Sequence, residues 1–350
     1  MRSLGIHCQH LRRLPVHVTG NPQDSRHRGS LLALSFLLCT GSVALAQDAP
    51  AWAVPFDRPS TRVRVLVRGD DFGSTHASNR ALERAFAAGI MKSASVMAVG
   101  PWFAETAALA RAHPEWTIGL HLALTSEGDN LRWGPVLVAS SVPTLIAPDG
   151  YFFRNFYLTK RDLLQDVQRL PAELRSRHEP LFTDQLPLPD QVEAELRAQI
   201  GLARQHGVRI DYLDCHMWIA CLPSLRQVLI RLAAELCVPI PEAGWMGTRE
   251  IIMPPIAEDL ATTIRNLRGA LIQLRPGLYR IVLHPAVDSE ELRSVDSFWA
   301  NAEAKRQQAT LAALTSREIQ RLVADRDIET LSVRDLWDYE RCRLRDLDRR

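Results

Sequence analysis

From Thr61 onward the chain alternates short apolar runs with amphipathic stretches, and that alternation narrows the fold more than any other feature. Strand patterns each followed by a helix pattern make βα units, which assemble into a mainly parallel sheet or barrel. Val63–Val67 is the first strand run, followed by the turn Gly69-Asp70-Asp71-Phe72-Gly73. Ser74 or Thr75 then caps a helix that runs to about Ala88 and stops at Gly89. Further strands are expected at Ala94–Val99, Thr117–Leu122, Val208–Leu213, Tyr279–Leu283 and Glu329–Ser332. Helices are expected at Trp102–His113, Gln191–Gln205, Leu225–Leu236, Ile256–Gln273, Phe298–Leu314 and Ser316–Ala324. The stretch Thr125–Pro189 is rich in Pro, Asp and aromatic residues, with one helical segment at Arg161–Leu170. It reads as an insertion over one end of the sheet.

A length of 350 residues accommodates one large α/β domain. With 46% hydrophobic and 23% charged residues and a formal net charge of +2, the chain is ordinary for a soluble globular protein and offers no electrostatic case for a nucleic-acid partner. Ser30–Ala46 is an apolar run preceded by Arg26, His27 and Arg28 and ended by Ala44-Leu45-Ala46, the order of an export signal. It is short for a membrane span, so cleavage near Ala46 and a periplasmic or secreted location are expected, against the alternative of an uncleaved leader. The expected plan is a leader and signal over 1–46, a linker over 47–60, one domain over 61–340 and a charged tail over 341–350. Cys215, Cys221, Cys237 and Cys342 remain after the leader; with no CxxC pair, neither a thiolate zinc site nor a disulfide framework is indicated.

The polar residues fall at strand ends. Asp70 and Asp71 follow the first strand, His121 ends the third, Asp214 and His216 follow the Val208 strand, and His284 follows the Tyr279 strand. In a βα barrel these ends converge on the face where active sites are built. Asp71, His121 and His216 would then offer one carboxylate and two imidazoles to a divalent cation and leave positions open for water and substrate. Asp70 would take the proton of the attacking water, and a protonated His284 would give one to a leaving amine: amide hydrolysis without a covalent intermediate. Each residue also has a plainer reading. Asp-Asp before Phe-Gly is often a turn and helix cap, His121 and His216 could be core histidines, His284 could merely end a strand, and Asp214 is either a partner orienting His216 or a cap. Four such positions at four strand ends carry weight together. No P-loop, dinucleotide fingerprint, GxSxG or HExxH motif is present.

These stretches resemble the YdjC-like carbohydrate deacetylase family, which includes chitooligosaccharide deacetylase and the hopanoid-associated HpnK proteins. The matching motifs are Asp70-Asp71-Phe72-Gly73, Gly119-Leu120-His121-Leu122-Ala123-Leu124-Thr125, Asp211-Tyr212-Leu213-Asp214-Cys215-His216 and Leu283-His284-Pro285. The resemblance covers about Val63 to Trp337. It implies an α/β fold of TIM-like (β/α) barrel type, distorted or incomplete, with a long inserted loop. It also implies an N-acetylated carbohydrate substrate and a divalent metal, magnesium by family habit, with zinc or another ion compatible with the same donors. Asp71, His121 and His216 would hold that metal, with Asp70 and His284 catalytic. Trp218 and Trp245 flank the site segments and are the tryptophans best placed to stack on a sugar ring. Arg68-Gly69, Cys215, Met217-Trp218 and Ala286 depart from the family pattern without removing a proposed ligand. Two rivals stay open: a metal-free glycoside hydrolase drawing on Asp70 with Asp214 or Glu242, and a non-catalytic carbohydrate-binding protein on the same fold.

Overall fold

The computed structural model describes residues 61–127, 130–153, 187–217, 223–241, 249–250, 257–295 and 300–337. Strand β1 (Val63–Phe72) is its axis. Alternating β-branched residues favour an extended chain, and β1 is buried along nearly its whole length, as a central parallel strand must be. Over Val63–Gly69, one edge of β1 pairs with β6 (Gly277–Leu283). The other edge is shared by β7 (Glu329–Leu331) below, at Arg64–Leu66, and β2 (Ser93–Val96) above, from Arg68 upward. With β3 (Thr117–Leu122), β4 (Tyr212–Cys215) and β5 (Arg249–Glu250) the order is β4-β3-β2-β1-β6-β5, and every pairing is parallel. This curled parallel sheet forms a half-barrel, so all strand C-termini open on one side.

Helices α1 (His76–Ala87), α2 (Phe103–Ala112), α3 (Pro189–Gln205), α4 (Pro223–Leu236), α5 (Leu260–Ile272), the single turn α6 (Glu290–Arg293), α7 (Ala300–Leu314) and α8 (Arg317–Asp325) complete the domain. The outer face of the sheet, through Val65, Val67, Leu120 and Ile281, shares one core with helix residues such as Leu82 of α1 and Leu267 of α5, each buried side chain contributing about 1.5–3 kcal/mol. The inner face is layered. Leu66, Tyr212, Leu278, Leu331, Val333 and Leu336 form an apolar floor. Above it, towards the strand C-termini, the buried side chains are Arg68, Asp70, Ser95, His121 and Asp214.

The expected α/β fold, a distorted or incomplete (β/α) barrel, is present as this half-barrel, with nearly all the expected elements. Among the boundaries that differ, two bear on the site. β1 continues through Phe72, absorbing the expected turn, and β4 starts at Tyr212 because Val208 N–H is spent closing helix α3 on Ala203 O. Asp214 therefore lies inside a strand. Cys215 is buried and Cys237 is disulfide-bonded. No helix among the described residues is long and apolar enough to cross a membrane. The leader, the linker, the helix expected at Arg161–Leu170 and the tail lie outside the described residues.

A buried polar clamp ties α3 to the end of β3. Gln199 Nε2 donates to Ala123 O (2.7 Å) and to Glu195 Oε1 (2.9 Å), while Gln199 Oε1 accepts from Ala123 N–H (3.1 Å). The Glu195 carboxylate accepts from Val136 N–H (2.9 Å) and Leu137 N–H (3.1 Å) of the inserted segment. Gln199→Leu is expected to cost roughly 2–4 kcal/mol in a urea unfolding experiment, because each buried backbone group left unsatisfied costs about 1–3 kcal/mol. An unchanged midpoint would show that Ala123 finds other partners.

Candidate metal centre

Adjacent residues of a strand point to opposite faces, so Asp70 and Asp71 could not both face the inner side of a regular β1. The pairing of β1 with β2 slips between Gly69 and Phe72, and Asp71 takes φ 65°. A bulge with one left-handed residue re-aims a side chain, and Asp tolerates that conformation better than most residues. The turn beyond is pinned: Ser74 N–H (3.2 Å) and Ser74 Oγ (2.6 Å) donate to Asp71 O, and Gly73 N–H donates to Asn79 Oδ1 at 2.8 Å. Thr75 caps α1 with a reciprocal Thr75–Ser78 capping box. Gly100 has to lack a side chain, since a Cβ there would lie 2.2 Å from Gly73 O.

Re-aimed in this way, Asp71 faces imidazoles from three strand ends. Its Oδ1 lies 3.3 Å from His121 Nε2 and 3.1 Å from His216 Nδ1, and its Oδ2 lies 3.5 Å from His284 Nε2. His121 and His216 are buried, while the His284 side chain is 45% exposed at the mouth. One donor atom from each of Asp71, His121 and His216 falls within 4.8 Å of the others. One carboxylate and two imidazoles at this spacing suit a small divalent cation, so the residues present fit the metal that the motifs imply.

Behind this cluster lies an ionic layer. Arg68 grips Asp70 with both ends of its guanidinium, Nε to Oδ1 and Nη2 to Oδ2, each at 2.7 Å. Its Nη1 stands 3.1 Å from Asp214 Oδ2. Ser95 Oγ donates to the same Asp214 oxygen at 2.7 Å. Asp214 Oδ1 lies 3.1 Å from His121 Nδ1, an approach too oblique for a hydrogen bond, so both atoms are buried without one. β3 and β4 place His121 and Asp214 as direct cross-strand neighbours. Asp214 thus backs His121, and the expectation that it orients His216 is corrected: strand register, rather than closeness in sequence, chooses the partner.

The charges reinforce one another. Burial pushes the Asp71 carboxyl up, but the hydrogen bonds from His121 and His216 and the charges of His284 and His216 outweigh it and hold Asp71 well below the usual carboxylate range. Burial likewise opposes ionisation of Asp70, and Arg68 with His121 overcomes it to leave the carboxyl below its ordinary value. Burial lowers the His121 imidazole, yet Asp214 and Asp70 raise it well above its ordinary value. The fold therefore keeps both aspartates ionised.

Of the residues singled out from sequence, Asp70, Asp71, His121, His216, His284 and Asp214 meet in one place. Trp218, Trp245 and Glu242 lie outside the described residues. Two functional neighbours were passed over. Arg68 was legible as an arginine two residues before Asp70, hence on the same face of a strand. Glu127, whose Oε1 is 3.6 Å from His216 Nε2, had no signal beyond following the His121 strand.

The sequence profile of the YdjC-like protein family matches residues 64–325. Among similar proteins, a carbohydrate deacetylase of Brevibacillus brevis is 24% identical over 287 residues, covering 78% of this chain and all of that protein. A carbohydrate deacetylase of Listeria monocytogenes serotype 4b is 28% identical over 284 residues, covering 78% and 100%. The crystal structure of an Enterococcus faecalis V583 protein named for cellobiose-phosphate cleavage aligns with a TM-score of 0.58 at 20% identity, covering 78% of this chain and 98% of the other, and shows that the fold is shared. The matched stretch runs from the first strand past His284 and takes in the whole Asp-His cluster with the arginine behind it, and the chain belongs to the YdjC-like protein family.

Proposed function

We infer that this protein is a carbohydrate deacetylase and that it removes N-acetyl groups from an amino-sugar oligosaccharide or glycoconjugate with the help of a divalent metal. The deacetylase names of relatives aligned over their whole length support the reaction class. Metal dependence rests on one observation, the convergence of Asp71, His121 and His216 from three separate strand ends.

Polarisation of the scissile carbonyl and acidification of the attacking water are the chemistry that a cation on Asp71, His121 and His216 supplies. Asp70 takes the proton. Each carboxylate oxygen has two lone-pair positions, so the two Arg68 contacts leave one free on each. A carboxylate held below its ordinary pKa is a weak base, effective only on a water that is itself acidified. The water oxygen bonds to the carbonyl carbon, the C–N bond breaks, and His284 Nε2, at the open mouth, gives the amine its proton. Acetate and a free amino sugar leave. The rival glycoside hydrolase would need two carboxyls to flank a glycosidic bond; Asp214 is fully buried and held by Arg68 and Ser95, which disfavours the Asp70–Asp214 pair, and Glu242 lies outside the described residues.

Purified protein given a panel of N-acetylated oligosaccharides is expected to release acetate, to lose that activity to a chelator and to regain it with added metal. Asp70→Asn is expected to lower kcat by about 10²–10⁴-fold, the usual worth of a general base, while still binding metal. New reducing ends formed in the presence of chelator would sink the reading. We also read the protein as exported on the strength of the 30–46 run; a disulfide-bonded Cys237 suits an oxidising compartment. N-terminal sequencing of periplasmic or secreted protein should begin near Gln47, and finding the intact leader on it would oppose this.

A further inference from the structure

The two imidazoles facing Asp71 do so with different nitrogens. His121 turns Nε2 to Asp71 and leaves Nδ1 to Asp214. His216 is arranged the other way round: Nδ1 faces Asp71 Oδ1 at 3.1 Å, and Nε2 is left buried, without a hydrogen bond, 3.6 Å from Glu127 Oε1. The two rings also differ in how the backbone holds them. His121 lies within β3, flanked by paired strands. His216 lies just past the end of β4, before Met217 at φ 53°, so the sheet does not set its ring and something else must.

We propose that Glu127 is the positioning residue of His216: its carboxylate accepts the Nε2 proton, selects the tautomer with Nδ1 free for a cation, and holds the ring turned towards Asp71. A metal-bound histidine is commonly tethered in this way through its second nitrogen. The assignment rests on the metal-centre reading given above. Glu127 itself stands on a rigid base. Thr125 and Ser126 are fully buried; Ser126 N–H donates to Phe153 O (2.8 Å), and Ser126 Oγ accepts from Arg132 Nε (3.1 Å) and Trp133 N–H (3.2 Å). Trp133 Nε1 donates to Thr125 O at 2.7 Å, and its ring meets His216 edge-on at 5.6 Å. The Glu127 side chain, 43% exposed, has the freedom to close the few tenths of an ångström that separate 3.6 Å from a hydrogen bond. Asp214 and Glu127 then play matching parts behind the two imidazoles, one inside the sheet and one from the loop above it.

The test is a Co²⁺ titration of chelator-stripped full-length protein, followed by visible absorption. Glu127→Ala is expected to weaken Co²⁺ binding about 10–100-fold, the usual cost of losing such a tether, and to alter the Co²⁺ band, with an unchanged thermal melt by circular dichroism. Glu127→Gln, whose side-chain carbonyl still accepts the Nε2 proton, is expected to restore most of the affinity. At saturating Co²⁺ the alanine variant should show lowered kcat and an unchanged KM. Wild-type Co²⁺ affinity in Glu127→Ala, with or without a raised KM, overturns the assignment, and a raised KM would place Glu127 on the substrate instead. If the wild-type protein itself binds no Co²⁺, the metal-centre reading fails and takes the assignment with it, an outcome the wild-type titration separates from the first.

Discussion

Asp71→Asn is expected to lose metal binding and turnover together while leaving the fold intact. Asp71 is the one carboxylate of the cluster whose side-chain partners are imidazoles throughout, at 3.1–3.5 Å. An amide there presents no charge to a cation. Changes one layer behind a metal ligand already cost about 10–100-fold in affinity or activity, so removing the carboxylate itself should exceed about a hundredfold in both. Asn tolerates the left-handed backbone of position 71 as well as Asp does, which is why stability in the absence of metal should change little. Metal content after dialysis, with acetate release on the same samples, checks this. A variant that keeps one equivalent of tightly bound metal would mean that Asp71 is no ligand.

Arg68→Met should have the largest effect on stability. The guanidinium is 3% exposed and is shared by Asp70 and Asp214, themselves 4% and 0% exposed. Breaking a buried pair by removing one partner costs about 3–5 kcal/mol, because a charge is left without compensation. Two carboxylates would lose their guanidinium here; among the described residues Asp214 keeps the Ser95 hydroxyl and the neighbouring His121 imidazole, and Asp70 loses both of its Arg68 hydrogen bonds. Urea unfolding measures the loss. Adding Asp214→Asn to Arg68→Met should recover part of it, since the two changes share one network and are not additive. A loss below about 1 kcal/mol would mean that the two carboxylates gain water or protons cheaply, and that the ionic layer is not what holds this end of the half-barrel.

Much of this was legible beforehand. The apolar runs around β1, β3 and β6 and the helices between them are visible because burial on both faces demands a continuous hydrophobic strand. The site was legible because Asp71, His121, His216 and His284 are ionisable residues at four strand ends, where apolar packing gives no reason for them. Arg68 was visible but misjudged, as a departure from a family pattern near the site. A lone arginine in a strand says nothing of its partner, and Asp214, 146 positions away by the numbering, is brought to it only by the order β4-β3-β2-β1. Glu127 was missed for the same reason, since nothing near it in sequence indicates His216.

By itself, then, the sequence determined the α/β alternation, the inventory of ligand-type side chains and the end of the sheet on which they sit, because periodicity and residue chemistry are local properties. Only the tertiary structure decided which atoms meet. The bulge at Asp71 brings two adjacent aspartates to one side and gives them different partners, Arg68 for Asp70 and three imidazoles for Asp71. Register between β3 and β4 gives His121, rather than His216, to Asp214. These assignments depend on strand pairing between residues far apart along the chain, and pairing is settled by the packing of the whole sheet, which no local stretch of sequence encodes.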